Sequence, residues 1–321
     1  MRLIKDFSTS AVTAGFVAVL IGFTSSAVIV FQAAQALHAS PAEIASWMCA
    51  LGVGMGLTSI ALSLRFRVPV LTAWSTPGAA MLITSAAGVS MPEAIGAFLV
   101  SAALITVSGF SGLFERMISR IPISIASGML AGVLLRFGLD AFLAMQSQFV
   151  LVFPMFCAYL LGRRLLPRYA IIMTFLVGVG IAAGQGSLRV DEIHLELAMP
   201  VFITPELSWQ ALIGVALPLY VVTMASQNLP GVAVIRASGY QLPISPLIGW
   251  TGAANLLLAP FGAYALNLAA ITAAICMSRE AHEDPEKRYV AAIAAGFFYL
   301  LIGVFGATVG SLFLAFPKEL V

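Results

Sequence analysis

The sequence predicts an all-α polytopic membrane protein organised as an inverted repeat around two broken spans. Of its 321 residues 60% are hydrophobic and 9% charged, with a mean hydropathy of +1.01. That is too little charge to cover a soluble surface of this size. Two stretches, Val68–Val89 and Pro260–Met277, have a membrane composition but are badly made for continuous helices. They lie about 193 residues apart, inside flanking segments that resemble each other.

The first span, Ser10–Ala36, is too long for a signal-peptide core and is read as retained. Ile44–Leu64 follows. In Val68–Val89 the prolines Pro69 and Pro77 interrupt the run, and Val70–Thr76 between them is β-branched, aromatic and hydroxylated. A helix beginning at Pro77, with Thr76 as N-cap, has about 12 residues before Gly88, roughly 18 Å. The hydrocarbon core is about 30 Å thick. An extended Val70–Thr76 adds roughly 20 Å and completes the crossing. Extended backbone is tolerated only where protein or a water-filled cavity satisfies it, the arrangement of a transporter's binding site.

Further spans are Glu93–Phe114, Ile123–Phe142, Phe149–Leu161 and Ala170–Ala183. The polar stretch Gln185–Glu206 carries Asp191, Glu192, His194 and Glu196. Trp209–Ala225, Pro243–Leu258, the second broken segment and Tyr289–Phe316 complete about eleven crossings. In the second broken segment Phe261–Leu266 is the expected extended part, Asn267 the N-cap and Leu268–Met277 the half-helix.

Pro92–Pro122 resembles Pro285–Pro317: both open with Pro-Glu, run as one apolar helix and close on proline. Seven crossings precede the second copy, so the halves enter from opposite sides, an inverted repeat. Counterparts of Gly128–Val190 do not follow the second copy, which suggests a C-terminally truncated second repeat. Lys and Arg concentrate in alternate loops (Arg2, Lys5, Arg65, Arg67, Arg116, Arg120, Arg163, Arg164, Arg168, Arg236, Arg279, Lys287, Arg288), which puts the N-terminus inside. With the basic residues in short loops, the net charge of +2 gives no reason to expect nucleic acid. Cys49, Cys157 and Cys276 lie in apolar runs and read as small buried hydrophobes. No metal-ligand spacing, phosphate-binding glycine loop or nucleophile elbow occurs, so an enzyme, a metal or a cofactor is not expected; nor is a channel filter.

Ser226–Gln241 (SQNLPGVAVIRASGYQ), Trp74–Leu82 (WSTPGAAML) and the FGAYALNLAAITAAICM segment resemble the benzoate:proton symporter family of bacterial inner membranes, across the whole chain. The resemblance implies the seven-plus-seven fold of the uracil, nucleobase-ascorbate and sulfate transporters. In that fold spans 1–4 and 8–11 form a core and spans 5–7 and 12–14 a gate. On this chain residues 1–122 and 208–321 would be core, and 123–207 the gate of the first repeat. The substrate would sit between the broken spans 3 and 10, lined by spans 1 and 8, with proton coupling, a lipid bilayer around it and room for a homodimer.

Half-helix starts at Thr76, Pro77 and Gly78 and at Asn267 and Leu268 would point unpaired N–H groups at one place. Each helix start carries roughly half a positive charge, an anion site. None of the 14 Asp and Glu falls in spans 1, 3, 8 or 10. Relatives that carry nucleobases have acidic side chains on spans 8 and 10; here the nearest positions, Met224, Ser226, Gln227, Asn228 and Asn267, are neutral. An aromatic acid also needs an apolar slot, for which Ser25, Phe31, Trp74, Tyr220, Met224 and Tyr264 are candidates. The expected function is secondary transport of a small aromatic carboxylate such as benzoate. The alternative is another anion or a nucleobase on the same fold.

Overall fold

A computed structural model describes residues 6–85, 88–118, 139, 142–165, 170–186, 197–306 and 308. Six helical stretches among them are long and apolar enough to cross a membrane. The first is interrupted: α1 (Thr9–Thr24) and α2 (Ala27–Ala36) are separated by a turn at Ser25 and Ser26. α3 (Pro41–Phe66) and α5 (Met91–Phe110) each open on a capping box, Ser40 with Glu43 and Ser90 with Glu93, with proline in the first turn. Between them lie β1 (Thr72–Trp74) and the half-helix α4 (Thr76–Ser85). The short α6 (Leu113–Ile118), α7 (Phe149–Leu165) and α8 (Ala170–Gly184) follow. α9 (Trp209–Ala237) is continuous but contains two π-helical turns, Leu212–Ala216 and Met224–Asn228. Then come α10 (Ile244–Leu258), β2 (Leu266–Leu268), the half-helix α11 (Ile271–Met277) and α12 (Tyr289–Val304).

Several boundaries differ from the sequence expectation. Span 8 does not end near Ala225: it runs through the two π turns to Ala237, which places Gln227 and Asn228 inside a helix rather than at its end. Of the expected span Ile123–Phe142 only Leu139 and Phe142 are described, and the loop residues Asp191–Glu196 and the end of the last span lie outside the described residues. Cys49 and Cys276 are buried, and Cys157 is half-buried.

Glycine sets the close helix pairs. Gly52 meets Gly303 and Gly56 meets Gly296 where α3 crosses α12, and Gly109 meets Gly249 where α5 crosses α10. At these points a Cβ would strike backbone, so the helices approach as membrane helices with small-residue seams do.

Two ends of the bundle are tied differently. At one, Tyr289 donates to Asp6 (2.8 Å), Tyr240 donates to the Pro285 carbonyl (2.9 Å) and the Arg67 guanidinium lies over the Tyr289 ring. Buried Arg288 donates to the carbonyls of Met277 and His282, holding the C-terminus of α11. The Glu115 carboxylate accepts from the Ile244 and Ser245 amides and the Ser245 hydroxyl, capping α10 from α6. At the other end the extended segment 197–208 crosses the helix ends. Its amides bond the carbonyls of Val304, Pro260 and Pro92, and the Ser46 hydroxyl.

The hydrogen bond from Ser245 chiefly, then the amides, holds the Glu115 carboxyl below its usual value, against a smaller upward push from burial. A lowered folded-state value means stabilisation that is complete above the unfolded pKa of about 4.3 and is lost as pH falls through the folded one. Glu115→Gln is therefore expected to lower the detergent melting temperature of the protein at pH 6–7, by a cap worth a few tenths to about 1 kcal/mol. The gap between parent and variant should narrow as pH falls below about 4.3, and melts across that range measure it.

Candidate functional site

The two broken spans meet as a two-stranded antiparallel ladder, Thr72 opposite Leu268, Ala73 opposite Asn267 and Trp74 opposite Leu266. The ladder extends by one bond at each end, Ser75 N–H to the Ala265 carbonyl (3.0 Å) and Ala269 N–H to the Leu71 carbonyl (2.9 Å). With those bonds fixed, alternation in an antiparallel pair makes Ala73 and Asn267 the hydrogen-bonded pair. The amides of Thr72, Trp74, Leu266 and Leu268 then point outwards.

Side chains from neighbouring helices take up most of these outward groups. Thr72 N–H donates to the Ser59 hydroxyl of α3 (3.0 Å), and Ser63 both donates to the Val70 carbonyl and accepts from its amide. Leu266 N–H donates to the Asn255 carboxamide of α10 (3.2 Å), and Leu268 N–H to that of Asn228 on α9 (2.9 Å). These residues are fully buried, so each bond stands where water otherwise would. Ser63→Ala and Ser59→Ala should each cost about 1–3 kcal/mol by orphaning an amide. Thermal melts of the full chain in detergent read that loss directly.

Among the described residues nothing accepts from the Trp74 amide, the fourth of the set, or from the Thr76 amide two residues on. The amides of Ala270, Ile271, Thr272 and Ala273, at the start of α11, are likewise open. Trp74 itself is locked: its indole N–H donates to Ser26 at the α1–α2 turn (2.8 Å), and its ring meets Phe23 edge-on at 5.1 Å.

The caps differ from those expected. Ser75, not Thr76, caps α4: its hydroxyl accepts from Gly78 N–H (3.0 Å), which leaves Thr76 as the first helical residue and Pro77 as the second. The extended part is correspondingly shorter than Val70–Thr76. Asn267 is not an N-cap. Its backbone belongs to β2, its Nδ2 donates to the Ala265 carbonyl, and α11 starts only at Ile271, with Ala270 before it and no side-chain cap. Leu268 is likewise a strand residue, and its side chain packs on Gly231. Strand pairing wins here because it satisfies backbone that an earlier helix start would have left to side chains.

The remaining candidates fall into three settings. Thr76, Pro77, Phe31 and Gln227 are half-exposed around the ladder, Gly78 is buried against Leu219, and Ser25 is exposed beside buried Ser26. Met224 is buried and accepts from Asn228 Nδ2 through its sulfur (3.2 Å). Two aromatic candidates are spent on packing. Tyr220 bonds Ser108 of α5 (2.7 Å). Tyr264 is fully buried against Trp47 and Phe98 and donates to the Ser75 carbonyl (3.1 Å), joining the two broken spans. The sequence reading missed Ser26, Ser59, Ser63, Ser75 and Asn255. The available signal was a hydroxyl or carboxamide inside an otherwise apolar helix, which has to find a partner.

Among the described residues no Asp, Glu, His or Lys is buried, and the buried charge is Arg288, at one end of the bundle. No cluster of metal-ligating side chains occurs among them either. Paired half-crossings around an uncharged, donor-rich centre define a polytopic membrane transporter. The benzoate membrane transport protein family model matches residues 5–321, and the chain belongs to that family. It is 49% identical over 304 residues to Inner membrane protein YdcO of Escherichia coli (strain K12), covering 95% of this chain and 78% of that one. It is 43% identical over 317 residues to the Benzoate membrane transport protein of Acinetobacter baylyi, covering 99% of this chain and 80% of the relative.

Proposed function

We propose that the protein carries benzoate or a similar small aromatic carboxylate across a bacterial inner membrane, binding it beside the β1–β2 ladder. The observation that carries this reading is the set of amides there without a partner among the described residues, at Trp74, Thr76 and Ala270–Ala273, with no buried carboxylate among those residues. Hydrogen-bond donors without opposing negative charge favour an anion, and buried amides left without a partner cost about 1–3 kcal/mol each. The relative from Acinetobacter baylyi, named for benzoate transport, gives the choice of acid.

The inverted repeat belongs to the same proposal, and the packing supports it. α3 packs on α12 as α10 packs on α5; α2 packs on α4 as the end of α9 packs on α11. α1 meets α11 and α12 as the start of α9 meets α4 and α5. Each contact has a counterpart under exchange of the two halves, with the ladder at the exchange point. In this reading residues 1–122 and 208–321 form the moving core and 123–207 gate residues. Gathering of Asp6, Arg67, Arg236 and Arg288 around one end favours a cytoplasmic N-terminus there.

Binding of labelled benzoate by the full chain in proteoliposomes tests the proposal. Displacement by unlabelled benzoate, but not by uracil or sulfate, is the expected result. Saturable binding of labelled uracil or sulfate without displaceable benzoate binding would move the fold to the alternative cargo, and no displaceable benzoate binding would overturn the substrate. Repeating the assay across pH 5–8, with an imposed gradient, reads proton coupling in the same preparation.

A further inference from the structure

We infer that Ser26 is a positioning residue for the substrate: it holds the Trp74 indole, and through it the Trp74 amide, in place beside the ladder. This rests on the reading of a small aromatic carboxylate bound at the open amides there. The first span breaks as it passes β1. Ser25 N–H still bonds the Ile21 carbonyl four residues back, but Ser26 N–H bonds that of Phe23, three back. The Gly22 carbonyl, which a continuous helix would have paired with the Ser26 amide, takes the Ser26 hydroxyl instead (3.0 Å).

A hydroxyl has one proton to donate and lone pairs with which to accept. With its proton on Gly22, the Ser26 oxygen is left as an acceptor, and the Trp74 indole N–H fills it (2.8 Å). The direction is fixed, from indole to hydroxyl to carbonyl, and both side chains are buried. Phe23, in the last turn of α1, meets the indole ring edge-on. The same turn is seated against the second broken span. A Cβ on Gly22 would come within 3.0 Å of the Thr272 side chain in α11 and 3.2 Å of the Tyr299 hydroxyl in α12. Residues 22–26 thus link Trp74, whose amide is open among the described residues, to the first turn of α11, whose amides are open there too. Without the Ser26 hydroxyl a buried indole N–H loses its acceptor. The ring then turns towards another, and the residue that carries the open amide moves with it.

Displacement of labelled benzoate from the full chain, measured beside a thermal melt, tests this. Ser26→Ala should weaken benzoate binding by about tenfold or more. In a Trp74→Phe background, which has no indole N–H to hold, the same change should alter affinity by no more than about threefold. A residue that acts through another loses its effect once that other is gone. Two results overturn the inference: parental affinity in Ser26→Ala, or an equal loss in both backgrounds, as a merely structural serine would give. Where Ser26→Ala folds poorly, the parent alone carries the test. With isotope-labelled tryptophan, the indole N–H resonance that disappears in Trp74→Phe should shift as benzoate saturates the protein, and a resonance that stays still overturns the inference. A parent with no displaceable benzoate binding overturns the substrate reading itself, a result distinct from these.

Discussion

Asn267→Asp is expected to weaken benzoate binding by about 100-fold while leaving the helices in place. Asn267 lies at the centre of β2, fully buried, opposite Ala73. Its Nδ2 donates to the Ala265 carbonyl, and its Oδ1 has no donor among the described residues. An aspartate there sets a negative charge beside the open amides with no cation to balance it. For two unit charges about 6 Å apart at an effective dielectric near 20, repulsion is about 3 kcal/mol, or roughly 100-fold. Asn267→Ser, which adds no charge, should stay within about tenfold of the parent. Equal loss in both variants would show that size, not charge, sets the effect. Affinity measured alongside a thermal melt separates binding from folding.

Gly262→Ala should be the most damaging single substitution for the fold among the glycines around the site. Gly262 turns the chain between α10 and the second strand at φ +100°, a conformation that costs a side chain about 1–2 kcal/mol. A Cβ there would also overlap the Trp47 ring. Trp47 cannot yield, because it is fully buried against Phe98 and Tyr264, at 5.5 and 5.9 Å between ring centroids. Overpacking of this kind adds about 1–3 kcal/mol. Together these predict a melting temperature lower by several degrees or more, and loss of the near-ultraviolet signal of the Trp47 cluster. Gly214→Ala, at a position with open space around it, is the control that should melt with the parent. Parallel melts of the two variants would refute the clash argument.

Much of this architecture was legible in the chain because it follows from local covalent facts. Pro69 and Pro77 flank a short β-branched and hydroxylated run, and that combination, rather than proline alone, made a broken span the expected reading. Capping boxes at Ser40 and Ser90 fix two helix starts from four residues each. The lack of acidic residues in four spans was likewise readable, since composition does not depend on packing. The registers that failed did so for one reason. Thr76 and Asn267 both read as good caps, yet cap position is decided by where the extended segment finds a partner. Asn228 looked like a helix end because Gln, Asn and Pro cluster there, and only the continuing helix put it against Leu268.

The sequence alone therefore determined a membrane protein with two broken spans free of acidic residues, and it raised the expectation of a repeat relating its halves. Those properties rest on proline, charge and hydropathy, which act residue by residue. Only the tertiary structure decided which amides remain open. An extended segment inside an apolar bundle must satisfy its backbone from outside itself, and the partners Ser59, Ser63, Asn228 and Asn255 come from the neighbouring helices α3, α9 and α10. Among the described residues Trp74 is left without such a partner, and that absence belongs to the packing of several spans, not to any one of them.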